Sequence, residues 1–289
     1  MAIKKWAHDL FGKCSCFPVQ CRVHGTESLP KGIVSATSNL EMRRLWGTSK
    51  DQLLFQQFRR WFAKRFLHPD VVDEYNYIFL WDEDLGVEHF DPVKYTKLMV
   101  SWKSGSYLSI VEKEGLEISQ PALDPSLSEV HHRITVRVKK SRVHSWVEMM
   151  APVFSRAAWR CAWYMIQSDL IHAWGLDMKL GYCAQGDRSI NVGVVDSEYV
   201  AHLGIPTLGG LDENRMSREE DGRSSRSEGS ARSAKRGREV SLMNRERGEV
   251  RKQSYNELEI FQERWEKAVK DDTCWNDPYP QTTNRSRAF

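Results

Sequence analysis

The sequence lacks any uninterrupted apolar run of the length that crosses a bilayer, which is about 18 to 20 residues. The lysines within residues 1–10 are not followed by an apolar stretch, so this segment does not have the pattern of a secretory signal. The net charge is only +3, which is too small to indicate nucleic-acid binding by itself. We therefore expect a chain without a membrane segment, and nucleic acid is not an expected partner.

Cysteine pairs of the CxxC type and glycine-rich dinucleotide-binding loops are also missing. No CxxC pair occurs among the six cysteines, and no glycine-rich dinucleotide fingerprint follows a candidate strand. The compact N-terminal cluster consists of Cys14, Cys16, Cys21 and His24. Its C-x-C spacing fits zinc poorly, and a disulfide in an oxidising compartment or incidental cysteines are the alternatives. Cys161 and Cys183 lie in apolar or helical surroundings, and we interpret them as buried thiols.

Composition divides the chain into four parts. Residues 1–50 are turn-rich and weakly periodic, and residues 51–212 carry every strong pattern. Residues 213–252 are rich in Arg, Ser, Glu and Gly with almost no large apolar residue, so we expect a disordered linker. In residues 253–289 apolar side chains recur at spacings of three and four, which predicts an amphipathic helix that ends near Asp271, followed by a tail.

Helix and strand patterns alternate within residues 51–212, which predicts the α/β class. The expected elements are an amphipathic helix at 52–67 and strands at 77–81, 116–120, 146–154 and 191–202. Ser155 is the expected N-cap of a helix that runs to about His172. Asp177 follows a glycine turn that enters a short helix.

The segment YIFLWDEDLG is the most informative of the chain, because its apolar run ends in three acidic residues and a glycine. The run predicts a strand buried on both faces, as in parallel α/β sheets, whose ligand sites lie beyond the carboxyl ends of the strands. Asp82 and Asp84 are two residues apart, so an extended backbone points both side chains the same way. Their oxygens suit Mg²⁺ or Mn²⁺ carrying a substrate's phosphates. An acidic turn without a ligand is the alternative.

Several long motifs, taken in order, resemble a plant family of unknown function that carries the label "lysine ketoglutarate reductase trans-splicing related". The motifs are WFAKRFLHPD, YIFLWDEDLG, GLEISQPALDP, HHRITVR, WVEMMAPVFSRAAWRC, LIHAWGLDMKLGYCAQGD, VGVVDSEYVAHLG and CWNDPYP. They cover most of residues 61–212 and the final helix. The missing dinucleotide fingerprint does not support a reductase. The family in turn resembles metal-dependent glycosyltransferases of the GT-A type. That likeness implies a mixed or parallel sheet flanked by helices, a nucleotide-sugar donor and a glycan or other hydroxyl acceptor.

This likeness implies roles for individual residues. The Asp-x-Asp of GT-A enzymes matches Asp82 and Asp84, and the histidine that often completes their metal site matches His202, for which a satisfied strand-end histidine is the alternative. An acidic residue at the mouth of a later helix matches Asp177, the expected base for the acceptor hydroxyl, unless the helix dipole alone favours it there. The further candidates for substrate contact are Gln120 and Glu148. Bound Mn²⁺ or Mg²⁺ is expected to neutralise a diphosphate leaving group.

The chain also departs from the family's pattern. Family members usually begin with a membrane anchor of the secretory pathway, which is not found here, so the location of this chain stays open. They also carry a long segment between a motif like LEMRRLW and WFAKRF, where residues 47–57 join the two directly here. That segment would supply the first βαβ units, which hold the nucleotide in GT-A folds. We therefore expect this chain not to turn over a nucleotide sugar. A non-catalytic protein that binds RNA or protein weakly through the Arg/Ser-rich linker and terminal helix is the alternative.

Overall fold

The computed structural model describes residues 22–37, 59–92, 106–128, 130, 133–138, 143–144, 146–170, 172, 174–204 and 229–279. The predictions for the N-terminal cysteines 14–21 and for residues 52–58 lie outside these ranges. The α-helices of the described part are α1 (Arg59–Phe66), α2 (Tyr107–Glu114), α3 (Arg156–Met165), α4 (Arg188–Asn191) and α5 (Gly229–Asp271). The strands are β1 (Tyr77–Phe79), β2 (Leu85–Gly86), β3 (Ile118–Leu123), β4 (Val143–His144), β5 (Val153–Ser155) and β6 (Val192–His202). Short 3₁₀-helices occur at Lys31–Ile33, Arg133–Thr135 and Asp177–Cys183.

The described strands form one mixed sheet in the order β1-β5-β3-β6-β2, and β4 pairs with β6 beside this path. Strands β3 and β6 are parallel. The pairs β1–β5, β3–β5, β2–β6 and β4–β6 are antiparallel. Helices flank the sheet, so the predicted α/β class with a mixed sheet is confirmed.

Strand β1 differs from the prediction of a strand buried on both faces of a parallel sheet. It lies at the sheet edge and pairs antiparallel with β5. Ile78 is buried in the main core, while Phe79 on the opposite face is 36% exposed. The Phe79 ring packs against those of Trp81 and Tyr107. An apolar run therefore does not distinguish a central parallel strand from an edge strand whose outer face is partly covered by aromatic rings.

The segment 146–154 was expected to be one strand, but only Val153–Ser155 belongs to β5. The preceding backbone is irregular, because the Glu148 N–H donates to the side-chain oxygen of Gln120 instead of joining a ladder. Strand β3 continues past the expected end to Leu123, and its register with β6 shifts between Pro121 and Ala122. A proline without an N–H is tolerated at such an irregularity.

Helix α3 fills the main core. Its N-cap is Ser155, as predicted, since the Ser155 hydroxyl accepts the Ala158 N–H at 3.0 Å. The helix ends at Met165 rather than near His172. The buried Trp163 indole donates to the Ala63 carbonyl in α1, and the buried Trp159 indole donates to the Leu67 carbonyl directly after α1. Both indole N–H groups are therefore satisfied inside the core.

The interpretation of Cys161 and Cys183 as buried thiols is wrong, because the two form a disulfide bond. Helix α3 packs against the 3₁₀-helix Asp177–Cys183, which brings the two Cα atoms to 5.2 Å, within the range that a disulfide spans. Nothing in a sequence separation of 22 residues signals that pairing. Cys274 is disulfide-bonded as well.

Helix α5 begins at Gly229 and so includes residues 229–252 of the expected linker, while 213–228 lie outside the described residues. The disordered linker stays a prediction. Residues 229–252 contain no proline and include six arginines, and arginine favours helix even without apolar residues to bury. The predicted end near Asp271 is confirmed. Within the described residues, no helix has both the length and the apolar composition needed to cross a membrane.

The C-terminal part of α5 packs onto the N-terminal 3₁₀-helix. Phe261, Trp265 and Ala268 are buried, and a Cβ added to Gly32 would lie 2.8 Å from the Ala268 side chain. The Asp272 carboxylate after the helix accepts the Lys31 N–H at 2.8 Å. These contacts fix the helix against the core.

Candidate acidic ligand-binding cavity

A cavity of about 400 Å³ lies where the loop after β1, the loop before β5 and the 3₁₀-helix Asp177–Cys183 meet helix α5. Three of the predicted site residues line it: Asp82, Glu148 and Asp177. The volume falls within the range of small-ligand sites, about 300 to 1,000 Å³. Three carboxylates from distant parts of the sequence therefore share one small-molecule-sized space.

Asp82 is positioned by backbone pairing that continues beyond strand β1. The Leu80 N–H donates to the Pro152 carbonyl and the Asp82 N–H donates to the Met150 carbonyl, each at 3.0 Å. These bonds fasten the loop after β1 to the loop before β5. Asp82 and Glu148 consequently line the same cavity although they come from separate loops.

Glu148 is held from two sides. The buried Thr135 hydroxyl donates to the Glu148 carboxylate at 2.6 Å, and the Glu148 N–H donates to the Gln120 side-chain oxygen at 2.6 Å. Gln120 is fully buried and is not among the residues that line the cavity. Gln120, which was predicted to contact substrate, therefore holds the Glu148 backbone, while Glu148 itself lines the cavity.

Asp177 begins its 3₁₀-helix directly after a tight approach between the loop and α5. Gly175 has a φ of +91°, and a Cβ there would lie 2.7 Å from the Leu258 side chain of the helix. Only glycine combines this backbone conformation with this closeness. The Asp177 carboxylate accepts the N–H of Met178 at 3.0 Å, which orients it at the helix start.

Two exposed rings stand at this side of the cavity, and sequence reasoning did not assign them to the site. Trp174 and Tyr255 line the cavity, and their ring centroids lie 5.0 Å apart in an edge-to-face arrangement. In this turn of α5, Ser254 and Glu257 are buried while Tyr255 is exposed. The sequence signal that could have identified Trp174 is its position next to Gly175, in the motif that carries Asp177.

A buried contact between His172 and Glu257 fixes α5 beside the cavity. The Glu257 carboxylate accepts the His172 N–H at 2.6 Å and lies 2.9 Å from His172 Nδ1, and both side chains are less than a tenth exposed. Burial by itself would raise the pKa of Glu257, but the hydrogen bonds from His172 and Gln253 outweigh it, so the pKa is lowered. The charged form of Glu257 therefore holds the helix in place.

Asp84 and His202 form a second site element. His202 Nε2 lies 3.2 Å from an Asp84 carboxylate oxygen, so the expected closeness of these residues is confirmed. The two side chains are brought together because β2 and β6 pair antiparallel with Leu85 opposite His202. Neither residue is among those that line the cavity. A span of two residues is at most about 7 Å, so the pair adjoins Asp82.

These side chains can be tested against the needs of a divalent metal. In the described part, no group of three or more His, Cys, Asp or Glu side chains is placed to hold a metal ion alone. Mg²⁺ is usually held by one or two carboxylates together with substrate phosphates and water, and Mn²⁺ prefers the same oxygen ligands. The carboxylates of Asp82 and Asp84 fit that incomplete type of site in their chemistry, whereas the His202 imidazole is a nitrogen ligand outside that preferred set.

The fold is a mixed α/β fold, and its cavity is lined by three carboxylates. Residues 53–271 match the model of the family described as "Protein of unknown function (DUF707)". Since the match spans more than half of the chain, the chain belongs to this family. No curated protein matches it, and no solved structure does. Function must therefore be argued from the cavity.

Proposed function

We propose that this chain is a glycosyltransferase-like protein of the GT-A type, whose acidic cavity receives a nucleotide sugar together with Mn²⁺ or Mg²⁺ and a hydroxyl acceptor. One observation carries the proposal: Asp82, Glu148 and Asp177 converge on a cavity of about 400 Å³. Asp82 and Asp177 occupy positions that the resemblance to the plant family and to GT-A enzymes marks as functional. The resemblance supports the assignment but does not replace the geometry.

Electrostatics make a divalent cation a necessary partner in this proposal. A diphosphate is repelled by three carboxylates unless a cation lies between them, because like charges in a partly desolvated site interact strongly. Asp82, Asp84 and His202 are the residues that would hold the cation. When bound, it would supply charge neutralisation for the diphosphate leaving group.

The acceptor side of the proposal uses the other two carboxylates. Asp177 is half-buried at the cavity wall and is oriented by its bond from the Met178 N–H, so it is the proposed base for the acceptor hydroxyl. Glu148, fixed by Thr135 and Gln120, is the proposed hydrogen-bond acceptor for a substrate hydroxyl. Such fixed placement is what positioning of two reactants requires.

Calorimetry tests the binding step. Mn²⁺ and uridine diphosphate, added together, should give a saturable heat with the wild-type chain and little heat with Asp82→Asn or Asp84→Asn. Glu83→Gln is the matched control, since it removes an exposed charge from the same segment, and should bind like wild type. Equal heats in all four proteins would contradict the proposal, and an equal loss of heat in Glu83→Gln and the two Asp variants would point to a general charge effect instead of ligation.

Turnover is a separate question from binding. We expect negligible donor hydrolysis by this chain, because the resemblance assigns the nucleotide's grip to a segment that residues 47–57 replace, and lost positioning can reduce rates by orders of magnitude. A donor-hydrolysis screen with Mn²⁺ would compare this chain with a version that carries a family-length segment there. Comparable turnover in both would show that the segment is dispensable.

A further inference from the structure

The mouth of the cavity carries exposed aromatic and thioether side chains that the proposed reaction does not use. Trp174 is 38% exposed, Tyr255 is 53% exposed and Met178 is 47% exposed. All three line the cavity, beside its carboxylates. Neither ring belongs to either buried apolar cluster of the described residues. Large rings left in water next to hydrogen-bond acceptors are placed for a ligand with both apolar and hydroxyl surfaces.

The charge of the cavity narrows the chemistry of that ligand. Among the described residues that line it, three are carboxylates and none is lysine, arginine or histidine. Carboxylates accept hydrogen bonds from hydroxyl and ammonium groups but repel other carboxylates. A saccharide fits this combination, because its hydroxyls donate hydrogen bonds while the C–H face of its ring packs on an aromatic side chain.

We propose that Trp174 and Tyr255 form an acceptor subsite for an uncharged or amino sugar, and that the neighbouring carboxylates exclude uronate sugars. Naming the ligand an acceptor rests on the proposed function. The binding and the charge selectivity rest only on the rings and carboxylates. The two rings come from different segments, the loop before the 3₁₀-helix and helix α5, and they meet edge to face at 5.0 Å. The subsite therefore exists only while α5 is docked through His172 and Glu257.

Binding of three soluble tetrasaccharides to the whole chain tests the proposal, with neither metal nor nucleotide present. The probes are cellotetraose, the glucosamine tetramer of chitosan and tetragalacturonate, followed by the shifts of tryptophan indole signals in NMR spectra. We expect the first two to bind and the third to bind at least tenfold more weakly. Equal binding of tetragalacturonate would overturn the selectivity, and no binding of any probe would overturn the subsite.

Substitutions locate the binding. Trp174→Ala and Tyr255→Ala should each weaken cellotetraose binding by up to about tenfold, the scale of one aromatic contact, while Trp174→Phe should retain most of it. Tyr75→Ala is the matched control, because Tyr75 is also 53% exposed but does not line the cavity. Unchanged binding in Trp174→Ala and Tyr255→Ala would contradict the proposal.

The selectivity has its own variant pair. Asp177→Asn combined with Glu148→Gln should admit tetragalacturonate, whereas Glu263→Gln on the exposed face of α5 should not. Continued exclusion by the double variant would show that these carboxylates do not set the selectivity. Since metal and nucleotide are absent, saccharide binding can succeed while metal–nucleotide binding fails, and the reverse, so the two proposals fail separately.

Discussion

The two aspartates of the Asp-Glu-Asp segment end in different surroundings. Asp82 lines an open cavity with Glu148 and Asp177, on walls made from loops and the terminal helix. Asp84 lies beside His202 at 3.2 Å, with both side chains about one-sixth exposed, between two paired strands. The cavity side is assembled from distant segments, whereas the pair side is set by neighbouring residues of one antiparallel ladder.

The cavity therefore depends on the packing of distant segments, whereas the pair depends only on two neighbouring strands. The cavity depends on how α5 packs, because Tyr255 and Leu258 supply part of its wall. The Asp84–His202 pair needs only β2 and β6. Perturbing α5 should therefore damage the cavity and leave the pair intact, and changing His202 should do the opposite.

The largest expected change in stability comes from Gly175→Ala, because Gly175 lies where the loop before the 3₁₀-helix Asp177–Cys183 contacts α5. The new Cβ would meet Leu258 at 2.7 Å in a backbone with φ +91°, so strain and overpacking should lower the free energy of unfolding by about 2–4 kcal/mol. Gly115→Ala is the matched control, with φ +65° and nothing within 4 Å, and should cost about 1 kcal/mol. Urea unfolding measures both, and equal losses would contradict the close packing of α5.

Glu257→Gln should have the next largest effect, about 2 kcal/mol of unfolding free energy, because it weakens buried hydrogen bonds to a charge. The pKa of Glu257 is lowered in the folded chain from its ordinary value of 4.5. Its stabilisation is therefore present above pH 4.5 and is lost as pH falls through the lower folded pKa. Stability of the wild type should fall in this window more steeply than that of Glu257→Gln. Parallel pH profiles would show that the pair does not hold the helix.

Thr135→Val should cost about 1 kcal/mol by removing the hydrogen bond to Glu148, and should also weaken cellotetraose binding. Thr26→Val provides the control, since Thr26 is equally buried and bonds the Val23 carbonyl at 2.7 Å away from the cavity. It should lose similar stability by thermal unfolding without any change in binding. Identical cellotetraose binding by both variants would show that the position of Glu148 does not affect binding of the sugar.

The smallest stability change is expected for His202→Gln, about 0.5–1 kcal/mol, because a partly exposed pair contributes little. Cellotetraose binding should stay at the wild-type level, while Mn²⁺ binding should be lost. Titrations of the sugar and of the metal measure the two effects on one protein sample. If His202→Gln lost cellotetraose binding and kept Mn²⁺ binding, the assignment of the sugar to the cavity and of the metal to the Asp84–His202 pair would be wrong.

Sequence patterns predicted those parts of the fold that depend on local chemistry. The cap at Ser155, strand β6 and the end of α5 follow from hydrogen-bonding and periodic residues near in sequence. The mixed class followed from their alternation. The edge position of β1 could not be predicted, because an apolar run looks the same whether a strand or aromatic rings cover its second face.

The sequence identified the acidic residues of the candidate site, but it did not predict how they are arranged in space. The pattern placed Asp82 and Asp84 on one face of an extended strand, whereas a turn at residues 83–84 follows Asp82. The contributions of Trp174 and Tyr255 depend on the docking of α5, and the Cys161–Cys183 bond depends on the packing of two helices. Such long-range contacts leave no periodic signal in the sequence.

Anomalous diffraction from crystals soaked with Mn²⁺ and uridine diphosphate tests the central claim most directly. The account predicts a manganese peak within bonding distance of the Asp82 or Asp84 carboxylate, with the diphosphate beside it in the cavity that Glu148 and Asp177 line. A manganese peak elsewhere, or an empty cavity at saturating concentrations of both, would contradict it.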